Sequence, residues 1–264
     1  MDPFSDESLQ LPAATIKIRM ARPERDLYTT KEIADPGSAF GGRRGVFITF
    51  EGMDGSGKTT QIHRLALRLR SQGRAVLETA EPGGTAIGSQ IRRILLDSAN
   101  LELRPSAELL LYFACRAQNV DEWIAPALSR GEIALSDRFT DSSLVYQGCG
   151  RGLGAEAVAA LDLIACRGLK PDLTILVDID VETSLARAHA RNLRAPHPET
   201  RMDEQPLEFH RRVYEAYHAL AEREPDRVKI VDGRRDADSI ERDVWALVAQ
   251  ALACEPRGLK SAPP

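Results

Sequence analysis

The sequence predicts an α/β protein with a five-stranded, mainly parallel sheet and helices on both faces. Three observations carry that expectation: five short apolar runs of strand length, longer helical patterns between them, and a glycine-rich turn joining the first run to the first helix. Strands separated by helix-length connections pair in parallel, because a parallel crossover needs that much chain.

The elements follow in order. Residues 45–50 (GVFITF) form a compact apolar run, hence a buried strand. A helix is expected over 58–72, with Gly73 in the position of a C-cap. Residues 75–79 read as a second strand, and helical patterns cover 86–98 and 106–129, the latter stopped by Gly131. Residues 132–137 and 173–178 are the third and fourth strands. A helix beginning near Val181 is halted by Pro196 and Pro198, and another follows. Residues 227–231 form the fifth strand, and a helix from 237 to about 254 closes the fold. Residues 1–44 mix Pro, Ser, Asp, Lys and Arg without periodicity and read as a disordered extension. Residues 254–264 read as a flexible tail, leaving 45–253 as the folded domain.

Composition narrows the function classes. A chain of 264 residues with 43% apolar and 28% charged residues has the balance of a soluble globular protein. Its net charge of −4 argues against a nucleic-acid scaffold, so a phosphate-bearing ligand needs a local basic pocket. Cys115, Cys149, Cys166 and Cys254 form no CxxC pair and no zinc spacing, and the histidines form no HExxH pattern. Reduced thiols and no transition metal are therefore expected. No apolar run approaches the ~20 residues that span a bilayer, and the acids Asp2, Glu7 and Asp26 speak against a secretory signal. A cytoplasmic protein without a membrane or nucleic-acid partner is the expectation.

The glycine-rich turn is Gly52-Met53-Asp54-Gly55-Ser56-Gly57-Lys58-Thr59, a complete GxxxxGK[ST] between strand and helix. Its glycines let backbone N–H groups turn inward around phosphates, and the helix N-terminus adds positive potential. Lys58 is placed to reach the β/γ-phosphates and the Thr59 hydroxyl to sit on Mg²⁺. The loop marks a P-loop NTPase fold but names no substrate. A regulatory GTPase would carry NKxD, which is absent. The chain offers instead a series of arginines at strand and helix ends, suited to holding two anionic substrates together.

Beyond the loop, the sequence resembles the thymidylate kinase family. The resemblance rests on Phe50 to Gln61 (FEGMDGSGKTTQ), Glu81 to Thr85 (EPGGT), Leu111 to Gln118 (LYFACRAQ), Asp137-Arg138-Phe139 with Ser142 to Gly148 (SSLVYQG), and Lys170 to Thr174 (KPDLT). These motifs lie in family order, and the similarity covers roughly residues 45 to 250. It implies transfer of the γ-phosphoryl group of ATP to dTMP with Mg²⁺, by a homodimer. ATP would be held by Gly52, Met53, Asp54, Gly55, Ser56, Gly57, Lys58, Thr59 and Thr60.

The same resemblance assigns the acceptor site. Asp54 would touch the sugar 3′-hydroxyl or a metal-bound water, and Arg92 would lie near the acceptor phosphate. The family stacks an aromatic ring on thymine four residues before an arginine that contacts the ligand. Arg116 matches the arginine, and the stacking position holds Tyr112 where the family has phenylalanine, with Phe113 beside it. Ser143 and Gln147 match readers of the thymine edge, and Tyr146 a residue that crowds a 2′-hydroxyl. Asp137, ending the third strand, is the carboxylate expected to hold Mg²⁺ with Thr59, partly through water, and Arg138 the clamp on the acceptor phosphate. Asp178 also ends an apolar strand and competes for the metal role, the resemblance favouring Asp137.

A lid is expected over about 187–205, carrying Arg187, Arg191, Arg194 and Arg201. Because the P-loop holds Gly55-Ser56 and no arginine, it resembles the family members whose lid supplies the positive charge, with Arg191 first among the candidates. The stretch Thr200-Arg201-Met202-Asp203 departs from the family's commoner DR[IF]E. Lys58, Arg138, Asp54 and Arg191 are thus the expected catalytic set. Two rival readings stay open: a kinase for another nucleoside monophosphate or deoxynucleoside, and a nucleotide-binding regulator without phosphate transfer.

Overall fold

The computed structural model describes residues 45–194 and 199–253. The expected extension over 1–44, the tail over 254–264 with Cys254, and the lid prolines Pro196 and Pro198 lie outside the described residues.

Five strands, β1 (Phe47–Glu51), β2 (Val76–Ala80), β3 (Ile133–Asp137), β4 (Leu173–Asp178) and β5 (Val228–Asp232), form one sheet in the order β2-β3-β1-β4-β5. Every pairing is parallel, so the expected mainly parallel sheet is wholly so. The register sets Phe50 and Ala80 beside Asp137, and this brings the carboxyl ends of β1, β2 and β3 to one edge. Ligands of open parallel sheets bind outside that edge, where loops leave the strands.

Alternation along β1 and β3 feeds two layers. Ile48, Phe50, Ile133 and Leu135 pack against Ile62, Leu65 and Leu69 of α1 (Lys58–Ser71) and against Ile240, Val244 and Val248 of α9 (Ala237–Ala253). Phe47 and Ala134 point the other way, onto Leu109 and Phe113 of α3 (Pro105–Asn119) and Val158 and Ala165 of α6 (Ala155–Cys166). A third cluster joins Met53 and Leu176 to Phe209, Val213, Tyr217 and Leu220 of α8 (Leu207–Arg223), beside α7 (Val181–Asn192). No described helix is long and apolar enough to cross a membrane.

Three features depart from the sequence expectation. The single helix expected over 106–129 is interrupted: after α3 comes a wider π turn, Val120–Ile124, and then α4 (Ala125–Ser129). Pro126 has no N–H to donate to the preceding turn, and the wide turn accommodates it. A second π turn, Leu144–Gly150, follows the short α5 (Thr140–Ser143), where the sequence announced no helix. The third is α6, whose apolar residues surround the helix and leave Leu163 and Ile164 exposed, so no amphipathic face marks it. The helix from Val181 ends at Asn192, and α2 (Ala86–Leu96) begins with Thr85 accepting a hydrogen bond from Gly88 N as its cap.

Candidate active site

The phosphate loop leaves β1 through residues that only glycine can supply. Gly52 has φ 129°, and a Cβ there would sit 2.4 Å from the Val177 carbonyl oxygen. Gly55 has φ 74°, and its Cβ would meet the Arg187 Cβ at 2.7 Å, so its bareness lets α7 close on the loop. Ser184 Oγ of α7 donates to the Asp54 carbonyl at 2.6 Å, and Arg187 reaches the Gly55 carbonyl at 3.4 Å.

Lys58 is drawn into the loop, where Nζ donates to the carbonyls of Gly52 (3.0 Å) and Met53 (2.8 Å). Burial, aided by the charge of Arg138, lowers its pKa to about 8 against the pull of Asp137, Asp54 and Glu51. Thr59 Oγ1 donates to Asp137 Oδ2 at 2.6 Å. Asp178 Oδ1 instead lies 3.1 Å from His218 Nε2. Thr60 is exposed on α1.

Arg138, the residue after β3, has φ 72° and donates its backbone N–H to the Phe50 carbonyl. Its guanidinium is fixed on all sides: to Asp54 Oδ1 (3.0 Å), Ser142 Oγ (3.0 Å), Tyr217 OH (3.2 Å) and Tyr146 OH (3.3 Å). Behind it stands Glu51, which accepts from Ser142 Oγ (2.5 Å), Tyr217 OH (2.9 Å) and Phe139 N (2.8 Å). The two hydroxyls thus turn their protons to Glu51 and their lone pairs to Arg138. Burial, with Asp141 adding, lifts the Glu51 pKa to about 7 despite Arg138, Ser142 and Phe139. Burial would also raise Asp54, but Arg138, Lys58 and Arg191 together hold its carboxyl well below the usual range.

A cavity of about 290 Å³ opens beside this arginine. Among the sequence-predicted residues, Asp54, Thr59, Arg92, Tyr112, Arg116, Arg138, Ser143, Tyr146, Gln147 and Arg191 line it, while Lys58 and Asp137 adjoin it through the loop and Thr59. Tyr112 faces the cavity; its neighbour Phe113 is buried in the core. Arg116 is 1% exposed and pairs Nε with Glu81 Oε2 (2.7 Å) and Nη2 with the Phe139 carbonyl and Ser143 Oγ, both 3.0 Å. Its Nη1 is buried without a partner among the described residues, a donor set for a ligand acceptor. Arg92 is engaged by Glu199 at 2.7 and 2.5 Å and by the Pro82 carbonyl at 2.7 Å.

The arginines expected of a lid divide. Arg187 and Arg191 are one turn apart on α7, and Arg191 lines the cavity while touching Asp203 at 3.4 Å. Burial and the nearby Asp54 raise Asp203 to about 6, opposed by Arg191 and Asn192. Arg201, expected with the lid, is 2% exposed and turned inward onto Glu108 (2.8 Å) and the Leu95 carbonyl. It is therefore held behind the cavity lining by a buried carboxylate, and Arg194 is exposed.

Several residues of this site carried no sequence signal of their own role. Glu51 stood inside the loop motif, but its partners Ser142 and Tyr217 come from α5 and α8. Glu108, Tyr112 and Arg116 are spaced one turn apart on α3, a pattern that marks a shared face. Arg151 and Glu81 complete the ion pairs behind it.

Hard-cation binding fits the Thr59–Asp137 pair, two oxygens 2.6 Å apart at the loop mouth. Among the described residues no cluster of three or more His, Cys, Asp or Glu forms a self-contained metal cage. A cation here would complete its shell with phosphate oxygens and water, the habit of Mg²⁺. Chemically, the arrangement can hold a polyphosphate in the loop and a second anion on Arg138, with both reacting groups between Lys58, Asp54 and Arg191.

The family model for "Thymidylate kinase" matches residues 50–244. A thymidylate kinase of Pelobacter propionicus is 52% identical over 209 residues, 79% of this chain and 94% of the relative. One of Geobacter sulfurreducens is 50% identical over 214 residues, 81% of this chain and 99% of the relative. Among solved structures, the thymidylate kinase of Ehrlichia chaffeensis superposes with a TM-score of 0.63 at 30% identity, covering 78% of this chain and 99% of that one.

Proposed function

This chain belongs to the thymidylate kinase family and phosphorylates dTMP, and we propose that it does so by clamping the two phosphates between Lys58, Arg138 and the α7 arginines, with little covalent work by the protein. The observation that carries this reading is the Arg138 guanidinium, fixed by Asp54, Ser142, Tyr146 and Tyr217 where the phosphate loop meets the cavity. An acceptor phosphate is ionised at neutral pH, so transfer needs positioning and charge neutralisation more than a base.

In this reading Lys58 leaves its loop carbonyls for the β/γ-phosphates of ATP, and Arg138 takes the dTMP phosphate. Arg92 exchanges Glu199 for the same phosphate. Arg191, with Arg187 one turn before it, neutralises the charge that spreads over the transferring group. Thr59 and Asp137 would hold Mg²⁺, which when bound would supply charge neutralisation for the phosphates. On the base side Tyr112 stacks, the unpaired Nη1 of Arg116 donates to a carbonyl, and Ser143 and Gln147 meet the edge. Tyr146 crowds the sugar 2′ position, and Asp54 accepts from the 3′-hydroxyl. Exposed Leu110 on α3 and Leu163 and Ile164 on α6 support assembly as a homodimer. The free thiols of Cys115, Cys149 and Cys166 support a reducing, cytoplasmic setting.

The residue assignments are tested by Lys58→Ala and Arg138→Ala. Each is expected to lower dTMP turnover by about two orders of magnitude or more while the far-UV circular dichroism and melting cooperativity persist. Near-normal rates in either variant would remove that residue from the transfer site.

A further inference from the structure

The base-facing residue Gln147 does not choose its own orientation; a buried carboxylate behind it does. Glu108, wholly buried in the first turn of α3, accepts from Gln147 Nε2 at 2.9 Å. The same carboxylate accepts from Arg151 Nε (3.2 Å) and Nη2 (3.0 Å) and pairs with Arg201 Nη1 at 2.8 Å. Burial works against ionisation here. Hydrogen bonds from Arg151 and Gln147, with the charges of Arg151 and Arg201, outweigh it and hold the carboxyl below its ordinary range.

An ionised carboxylate accepts hydrogen bonds and cannot donate them. Turning the Gln147 amide over would set its Oε1 against a Glu108 oxygen, two acceptors in contact in a buried site. Nε2 is therefore committed to Glu108, and Oε1 is the amide atom left for a ligand in the cavity that Gln147 lines. An acceptor at that point suits a base whose ring nitrogen carries hydrogen. Thymine and uracil present N3–H, whereas cytosine presents a bare N3 lone pair.

We propose that Glu108, anchored by Arg151 and Arg201, is a specificity-determining positioning residue that locks the Gln147 amide with its oxygen toward the base and so excludes cytidine nucleotides. The inference rests on the dTMP reading of the cavity. It extends that reading to residues outside the cavity lining, since Glu108 and Arg151 do not line it.

The test is the Glu108→Gln variant, assayed with dTMP, dUMP and dCMP beside the wild type. A neutral amide at 108 can donate or accept, so Gln147 can turn over and offer N–H to the cytosine N3. The expected result is a rise of about tenfold in kcat/KM for dCMP relative to dTMP, the scale of one hydrogen bond. Glu108→Asp keeps the charge and is expected to keep the wild-type ratio. Should Glu108→Gln fail to fold beside two arginines, Glu108→Gln/Arg201→Met removes one charge of each sign and carries the same prediction. Losses for dTMP and dCMP in equal proportion, with the ratio unchanged in a folded variant, would overturn the inference while leaving the dTMP reading intact. Wild-type enzyme inactive on dTMP would overturn both.

Discussion

Replacing Glu51 by glutamine isolates the cost of keeping a carboxylate behind Arg138. Glu51 is 1% exposed, and its pKa rises from 4.5 to about 7, burial being the main cause and Asp141 the second. The folded state thus keeps the proton to higher pH than the unfolded chain does. Between those two values the folded state binds more protons, so stability falls as pH rises. The stabilisation is fully present below pH 4.5 and is lost as pH passes through about 7. At about 1.4 kcal/mol per pH unit the total is about 3 kcal/mol. Glutamine keeps the shape and does not titrate. Its own misfit toward the donors Ser142, Tyr217 and Phe139 N is a pH-independent offset. Urea unfolding of both proteins at steps from pH 4.5 to 8 measures the difference in unfolding free energy. The variant is expected to gain about 3 kcal/mol on the wild type across that range. A difference constant to within about 0.5 kcal/mol would refute the argument that burial governs this carboxyl.

Two further predictions come from the same site. Polyphosphate favours the charged form of Lys58, whose free-state pKa is lowered to about 8. The Kd for ATP should therefore be level below pH 8 and weaken toward about tenfold per pH unit above it, with proton uptake on binding; calorimetry in buffers of different ionisation enthalpy reads both. Arg201→Met leaves the buried Glu108 with Arg151 as its remaining arginine partner. It should cost about 3 kcal/mol in denaturant unfolding, a loss near zero being the contrary result.

The fold was legible because its signals are local. Each strand is a short β-like run and the loop glycines mark a turn, so five strands and the principal crossovers follow from short windows. The π turns were not legible, since Val120–Ile124 and Leu144–Gly150 depend on tertiary packing and, in the first case, on Pro126. Site residues on the loop and at strand ends were readable for the same local reason. The Glu51–Tyr217 bond joins residues 166 apart in sequence, and no spacing rule reaches that far. Arg201 shows the other limit. As a letter in an arginine-rich stretch it equals Arg191, and only tertiary partners, Glu108 on α3 and the Leu95 carbonyl, decide that one side chain is buried and the other exposed. Tyr112 and Phe113 were separable once one was seen to face the cavity and the other the core.

The measurement that bears most directly on the central claim is steady-state ADP release from Mg-ATP with dTMP, dUMP, dCMP, AMP, GMP and thymidine as acceptors. Turnover with dTMP is expected well above that with dCMP and the purine monophosphates. Little is expected with thymidine, which brings no phosphate to Arg138. A preferred acceptor other than dTMP, or none at all, would contradict the dTMP reading.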